Sequence, residues 1–143
     1  YGLIEAYQLD DAEVAVVLLG STAGTTRVAV DMLRAQGIRA GLLKIRSFRP
    51  FPVDDVAEAL KSKAAVAVLD RAFSFGAAGG PLFQDVCASL HRKGVCIPLV
   101  NYVYGIGGRD ATPEELAHVF QEMERVADSG QPVENIRFLS LRE

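Results

Sequence analysis

Cysteine is scarce in this sequence, with only Cys87 and Cys96 among 143 residues. Neither belongs to a C-x-x-C pair or to a Cys/His spacing typical of a metal site, so a reduced, cytoplasmic protein is expected. Long apolar runs are also missing, since none approaches the roughly 18 residues of a membrane span. The opening Tyr1–Glu5 resembles neither a signal peptide nor a transit peptide, and the absence of an initial Met is consistent with a fragment of a longer protein.

An excess of positive charge is missing too. Lys and Arg number 15 against 18 Asp and Glu, which gives a formal net charge of −3. This balance provides no electrostatic footprint for nucleic acid. Half of the residues are hydrophobic and 23% are charged. That composition is typical of a folded globular domain and not of a disordered chain.

The segment 14–46 is the most strongly patterned part of the chain. Val14–Leu19 is an unbroken apolar run, typical of a strand buried on both faces. The small residues Gly20–Gly24 predict a tight turn, and Thr25–Gln36 predicts a helix that ends at Gly37. Ile38–Ile45 resumes strand composition, so the segment predicts a right-handed β-α-β unit. The apolar stripe expected on the helix is Val28, Ala29, Met32 and Leu33.

Further strands and helices alternate along the rest of the chain. We predict helices from Val53, Pro81 and Thr112, strands over 64–69 and 95–103, and an edge strand or short helix over 3–9. Cys87 is expected in the core. The pattern indicates a three-layer α/β/α sandwich with a mostly parallel sheet. We divide the chain into a domain over 1–130 and a C-terminal docking tail over 131–143, because the tail is too apolar to be solvated.

Three glycine-rich loops follow predicted strands, where open α/β sheets bind ligands. Gly20–Gly24 lacks both the G-x-G-x-x-G spacing and the lysine of a P-loop, so a close strand-to-helix turn is preferred. Gly76–Gly80 is interpreted as a contact loop, and Gly105–Asp110 as a candidate anion site with the wrong spacing for a nucleotide. Asp70–Arg71 is the most site-like charged pair, although a structural ion pair is the favoured interpretation. Neither histidine lies near a nucleophile signature.

Four segments taken together resemble domain II of the 2-oxoacid:ferredoxin oxidoreductases, of which pyruvate:ferredoxin oxidoreductase (pyruvate synthase) is the best known. They are Gly20–Gly24, Arg49–Pro52, Val68–Ala72 and Tyr104–Asp110. The opening Tyr1–Tyr7 resembles the join between the pyrimidine-binding domain and domain II in the alpha subunit. The resemblance covers almost the whole chain, in order.

The resemblance implies a fold like the transketolase C-terminal domain, with a five-stranded mixed sheet whose antiparallel strand is Leu3–Leu9. It implies a parent enzyme that decarboxylates a 2-oxoacid, with pyruvate favoured, on thiamine pyrophosphate and Mg²⁺. Electrons pass through [4Fe-4S] clusters to ferredoxin, and the acyl group passes to coenzyme A. The cofactors are expected on other domains, because this chain lacks a Gly-Asp-Gly…Asn motif and a cysteine set for a cluster. The fragment is therefore expected to be inactive alone.

The expected partners are the pyrimidine-binding domain and the beta subunit, with ferredoxin for the parent enzyme and self-association for the isolated fragment. No nucleic-acid or membrane partner is expected. Two alternatives stay open: the C-terminal domain of another thiamine enzyme, of transketolase or dehydrogenase beta type, and an independent anion-binding module. No catalytic, cofactor or metal residue is assigned. The candidate interface or anion contacts are Arg49, Asp70, Arg71, Tyr104, Gly107, Gly108, Arg109 and Asp110.

Overall fold

The computed structural model describes residues 3–19, 22–46, 50–70, 80–104, 111–129 and 136–138. Strands and helices alternate through these residues, as the sequence predicts. In chain order they are β1 (Ile4–Tyr7), β2 (Val14–Leu19), α1 (Thr22–Ala35), β3 (Ala40–Ile45), α2 (Val53–Leu60), β4 (Ala65–Asp70), α3 (Pro81–Arg92), β5 (Leu99–Val103), α4 (Pro113–Ser129) and β6 (Ile136–Phe138).

The strands form one mixed sheet in the order β1-β3-β2-β4-β5-β6. β1 pairs antiparallel with β3, and the other neighbours are parallel. The expected five strands with an antiparallel strand inside 3–9 are therefore confirmed. A short sixth strand extends the sheet, because β6 from the tail pairs with β5, with Asn101 opposite Ile136. The boundary at residue 130 stays a prediction.

The sheet separates two hydrophobic cores. Alternate residues of β2 point to opposite faces, so Val14 and Val16 lie in one core while Ala15 and Val17 lie in the other. The first core also contains buried residues of α1 and α4, and the second contains those of α2 and α3. The three-layer α/β/α architecture is therefore confirmed. No helix in the described part of the chain is long and apolar enough to cross a membrane.

Helix α1 presents a different face to the core from the one expected. Val28 and Met32 are 49% and 36% exposed, whereas Ala29, Val30 and Leu33 are buried. The expected stripe was wrong for Val28 and Met32 and correct for Ala29 and Leu33, because a helix with apolar residues on more than one side does not reveal from its sequence which side meets the sheet. The predicted end was correct: Gly37 has a φ of +86°, the left-handed conformation of a helix terminus.

The segment after α3 also differs from the expectation. β5 begins at Leu99 and not at Val95. Pro98 directly precedes the strand and has no N–H to donate to a sheet. Cys87 is half-buried instead of fully buried, and Cys96 is exposed. The two cysteines line one shallow cleft, and partial burial raises the pKa of the Cys87 thiol.

Two cations hold the turn between β1 and β2. Lys63 is 5% exposed, and its ammonium donates to the Leu9 carbonyl at 2.6 Å. Arg34 on α1 donates to the Gln8 carbonyl at 2.7 Å and pairs with Asp11 at 2.8 Å. Burial lowers the pKa of the Lys63 ammonium. Both side chains therefore bind the antiparallel edge of the sheet to the main body of the domain.

Candidate functional site

The carboxyl ends of β4 and β5 meet at one edge of the sheet. Asp70 is the last residue of β4, and Tyr104 directly follows β5. The backbone N–H of Tyr104 donates to the Asp70 carbonyl at 3.0 Å, so the two chain segments stay paired at this edge. Open α/β sheets place their ligand-binding crevices at such an edge. The sequence-predicted residues Asp70 and Tyr104 are thus brought together.

The Asp70 carboxylate caps helix α3 from a neighbouring strand. Its Oδ1 accepts from the backbone N–H of Leu82 at 2.7 Å, and its Oδ2 accepts from that of Phe83 at 3.1 Å. The residue preceding the helix is Gly80, which has no side chain with which to cap it. A Cβ built on Gly80 would lie 2.2 Å from Asp70 Cγ. Glycine is therefore what allows the carboxylate to reach the start of the helix.

Asn101 completes this arrangement from the middle of β5. Its amide nitrogen donates to Asp70 Oδ2 and to the Val68 carbonyl, each at 3.0 Å. Its amide oxygen accepts from the N–H of Gly80 at 2.8 Å. The side chain is fully buried. Asn101 was not among the residues predicted from the sequence. The available signal was a polar side chain inside an otherwise apolar strand, since a buried amide requires hydrogen-bond partners.

Burial is the main influence on the Asp70 carboxyl and raises its pKa. Hydrogen bonds from Leu82, Phe83 and Asn101 act in the opposite direction. Because both carboxylate oxygens accept bonds from inside the protein, Asp70 has a structural role in the described residues. The expected pairing with Arg71 falls outside the described residues. The other candidates that lie outside them are Arg49, Gly107, Gly108, Arg109 and Asp110.

Tyr104 is only 2% exposed and belongs to the core shared by α1 and α4. This burial leaves its ring little surface for contact with another molecule. Tyr102, two residues earlier, is also buried and donates a short hydrogen bond to Glu122 on α4. The same Glu122 lies 3.8 Å from the imidazole of His118. The Tyr102 bond joins β5 to α4, whereas the His118–Glu122 pair lies within α4.

The match to family models decides the family. Residues 12–116 match the model described as pyruvate:ferredoxin oxidoreductase core domain II. The chain belongs to this domain family. Pyruvate synthase subunit PorA of Methanosarcina barkeri is 44% identical over 142 residues, which cover 99% of this chain and 35% of that subunit. The PorA subunit of Thermotoga maritima is 42% identical over 144 residues and is covered to 36%. This core domain II thus spans about a third of the length of these relatives.

Relatives named for other substrates are similar over nearly the same region. Ketoisovalerate oxidoreductase subunit VorA of Pyrococcus furiosus is 39% identical over 129 residues, which cover 90% of this chain and 32% of that subunit. The alpha subunit of NADH-dependent phenylglyoxylate dehydrogenase of Aromatoleum evansii is 41% identical over 122 residues, covering 85% of this chain and 29% of that subunit. The resemblance stated from the sequence motifs is confirmed.

Solved structures agree on the fold. The chain superposes with a TM-score of 0.66 and 24% identity on 2-oxoglutarate:ferredoxin oxidoreductase from Magnetococcus marinus, covering 86% of this chain and 20% of that one. It superposes with a TM-score of 0.67 and 19% identity on a split-gene transketolase, covering 86% and 42%. The expected transketolase-like architecture of core domain II is confirmed.

In the described residues, no group of three or more His, Cys, Asp or Glu side chains is placed to hold a metal ion. The expectation that other domains hold thiamine pyrophosphate and Mg²⁺ stays a prediction. The carboxylate of Asp70, buried at the sheet edge, already accepts bonds from three protein donors.

Proposed function

We propose that this chain is the domain II portion of the alpha subunit of a 2-oxoacid:ferredoxin oxidoreductase, with pyruvate as the substrate. The observation that carries the proposal is the match of residues 12–116 to core domain II, joined to 44% and 42% identity with two pyruvate synthase subunits. The parent enzyme oxidatively decarboxylates the 2-oxoacid on thiamine pyrophosphate and transfers the acyl group to coenzyme A. The two electrons pass through iron–sulfur clusters to ferredoxin.

Within that enzyme the domain has a structural and interface role. This role is supported by the two polar side chains at the carboxyl ends of β4 and β5. Asp70 and Asn101 bond to each other and to the start of α3, which leaves them unavailable for a substrate. The proposed partners are the pyrimidine-binding domain and the beta subunit. The contacts predicted from the sequence are Arg49, the pair Asp70–Arg71, the loop Tyr104–Asp110 and the tail after Gly130, and they stay a prediction.

The test is an assay of the parent enzyme purified with all of its subunits. We expect reduction of ferredoxin that requires both coenzyme A and pyruvate. The alternative substrates 2-oxoisovalerate, phenylglyoxylate and 2-oxoglutarate are assayed separately in place of pyruvate. Activity with a different 2-oxoacid would retain the enzyme class and correct the substrate. No coenzyme A-dependent oxidation of any 2-oxoacid would overturn the proposal. In calorimetry, the isolated 143-residue chain is expected not to bind thiamine pyrophosphate with Mg²⁺, and micromolar binding would contradict the non-catalytic role.

A further inference from the structure

The antiparallel strand β1 lies at one end of the sheet in the described part of the chain. β3 pairs with it on one side, with Ala6 opposite Leu43, and no described strand pairs with it on the other side. Proteins commonly protect such an edge with a proline, a bulge or a charge. β1 contains no proline, and all four of its residues pair in register with β3. The strand is therefore regular enough to accept a further strand.

The pairing with β3 fixes which backbone groups of β1 point outward. Arg46 N donates to the Leu3 carbonyl at 2.8 Å, so these two residues form a hydrogen-bonded pair. Hydrogen-bonded and non-hydrogen-bonded pairs alternate along antiparallel strands. Ala6 and Leu43 are therefore a non-hydrogen-bonded pair, and the N–H and C=O of Ala6 point away from β3. Since Ala6 is exposed and has a small side chain, a second strand can approach closely at this residue.

The side chains that flank β1 on the α1 side carry charges in a definite order. Glu5 accepts from Arg27 at 2.9 Å and from Arg46 at 3.2 Å, so two cations neutralise the one charge on β1. Two residues further along, the Tyr7 hydroxyl donates to Asp31 at 2.7 Å. Arg27 also lies over the Tyr7 ring, 5.7 Å from its centroid, which holds these side chains together. A cationic cluster and an acidic group therefore follow one another along the edge.

We propose that β1 pairs antiparallel with β1 of a second copy of this chain, about a two-fold axis at Ala6. In this register the two Ala6 residues exchange two backbone hydrogen bonds, and Glu5 of each copy lies opposite Tyr7 of the other. Arg27, bonded to Glu5, then faces toward Asp31 of the second copy, which is bonded to Tyr7. An axis at Glu5 would instead place two carboxylates opposite each other, which is unfavourable. The order of the charges thus favours a second copy in the register centred on Ala6.

The strength of this contact follows from its size. Stable protein interfaces bury about 1,200–2,000 Å², and two paired strands of four residues bury less than that. The charges along the edge are exposed enough to be screened by salt. We therefore expect a weak dimer whose fraction rises with protein concentration and falls with ionic strength. This inference goes beyond the proposed function, because it requires only the chain itself.

Sedimentation velocity of the 143-residue chain over a range of protein concentrations tests the proposal. Ala6→Pro removes the outward N–H and no bond to β3, a position at which an edge strand tolerates proline. We expect it to weaken the dimer at least about tenfold, because both exchanged bonds are lost. Ala6→Val is the matched control, since it retains the N–H, and it should leave the dimer unchanged. Thermal unfolding of each variant shows whether the fold is kept.

A charge exchange tests the register without altering the backbone. Arg27→Glu and Asp31→Lys each place like charges across the axis, so each variant alone should dimerise about tenfold more weakly. In an equimolar mixture the two variants form a heterodimer in which both pairs across the axis again have opposite charges. Its affinity should return to within about threefold of the wild type.

The proposal is overturned if the chain is monomeric at every concentration, or if folded Ala6→Pro dimerises as well as the wild type does. A mixture of the charge variants that stays as weak as each variant alone would also contradict it. Val28→Glu tests the other exposed apolar surface, because Val28 is 49% exposed on α1. A dimer that Val28→Glu disrupts and Ala6→Pro does not would assign the contact to α1 and exclude β1. None of these measurements depends on the substrate of the parent enzyme.

Discussion

Replacing Asp70 by Ala is the sharpest test of how this domain is held together. The carboxylate accepts bonds from Leu82 N at 2.7 Å, from Phe83 N at 3.1 Å and from Asn101 Nδ2 at 3.0 Å. Asn101 Nδ2 retains a second acceptor, the Val68 carbonyl. The two helix N–H groups retain none among the bonds described here. Two donors at the start of α3 therefore lose their partner.

The expected loss is roughly 2–4 kcal/mol of unfolding free energy, since a buried donor left unsatisfied costs about 1–3 kcal/mol. Urea unfolding with an unchanged m-value measures it. Asp128→Ala, at an exposed position in the last turn of α4, is the matched control and should stay within about 0.5 kcal/mol of the wild type. A loss below about 0.5 kcal/mol for Asp70→Ala would refute the capping role.

The same variant has a pH signature. Burial raises the pKa of the folded Asp70 carboxyl above its ordinary 3.8. The folded state therefore holds this proton more tightly than the unfolded state does. The stability contributed by this tighter proton binding is fully present below pH 3.8 and is lost as the pH rises through the folded pKa. The difference between wild type and Asp70→Ala should accordingly be larger near the acid end of that window than at pH 7. A difference that grows with pH would contradict the assigned shift.

Two further predictions concern single side chains. Gly80→Ala should destabilise the domain by about 1–3 kcal/mol, because its Cβ would lie 2.2 Å from Asp70 Cγ. The control is Gly24→Ala, in a helix with nothing within 4 Å of the new Cβ, which should be neutral or stabilise by up to about 1 kcal/mol. Equal effects of the two substitutions in thermal unfolding would exclude the close contact at Gly80. Lys63→Met should cost about 0.5–1.5 kcal/mol at pH 7 through the lost bond to the Leu9 carbonyl. Burial lowers the pKa of the folded Lys63 below 10.5, so the folded state releases this proton before the unfolded state does. The wild type should therefore gain stability relative to Lys63→Met as the pH rises through the folded pKa toward 10.5. Urea unfolding at pH 7 and 9.5 measures the change.

The structural features that were predicted correctly from the sequence depend on residues close together in the chain. The apolar run of β2, the glycine after α1 and the start of α4 are local signals, and each was correct. Thr112 N donates to Glu115 Oε1 at 2.8 Å and Glu115 N donates to Thr112 Oγ1 at 3.1 Å, which is a capping box at the start of α4. Motifs in register identified the family, because their order along the chain is also sequence information.

The contacts that define the candidate site could not be predicted in this way. Asn101 lies 31 residues from Asp70 and bonds to it only because β4 and β5 are neighbours in the sheet. The outward face of α1, with Val28 and Met32 exposed, depends on where the helix meets the sheet and α4. β6 was foreseen only as an apolar docking segment, since three residues carry too little periodicity to indicate a strand.

The alternation along β2 has a consequence for how this domain can diverge. Val16 and Val17 are adjacent in the chain, yet they belong to cores on opposite sides of the sheet. Side chains at neighbouring positions of this strand therefore pack against different helices, one against α1 and α4 and the next against α2 and α3. A substitution at Val16 therefore changes the packing against α1 and α4, whereas one at Val17 changes the packing against α2 and α3, and the backbone of β2 is the part that the two cores share.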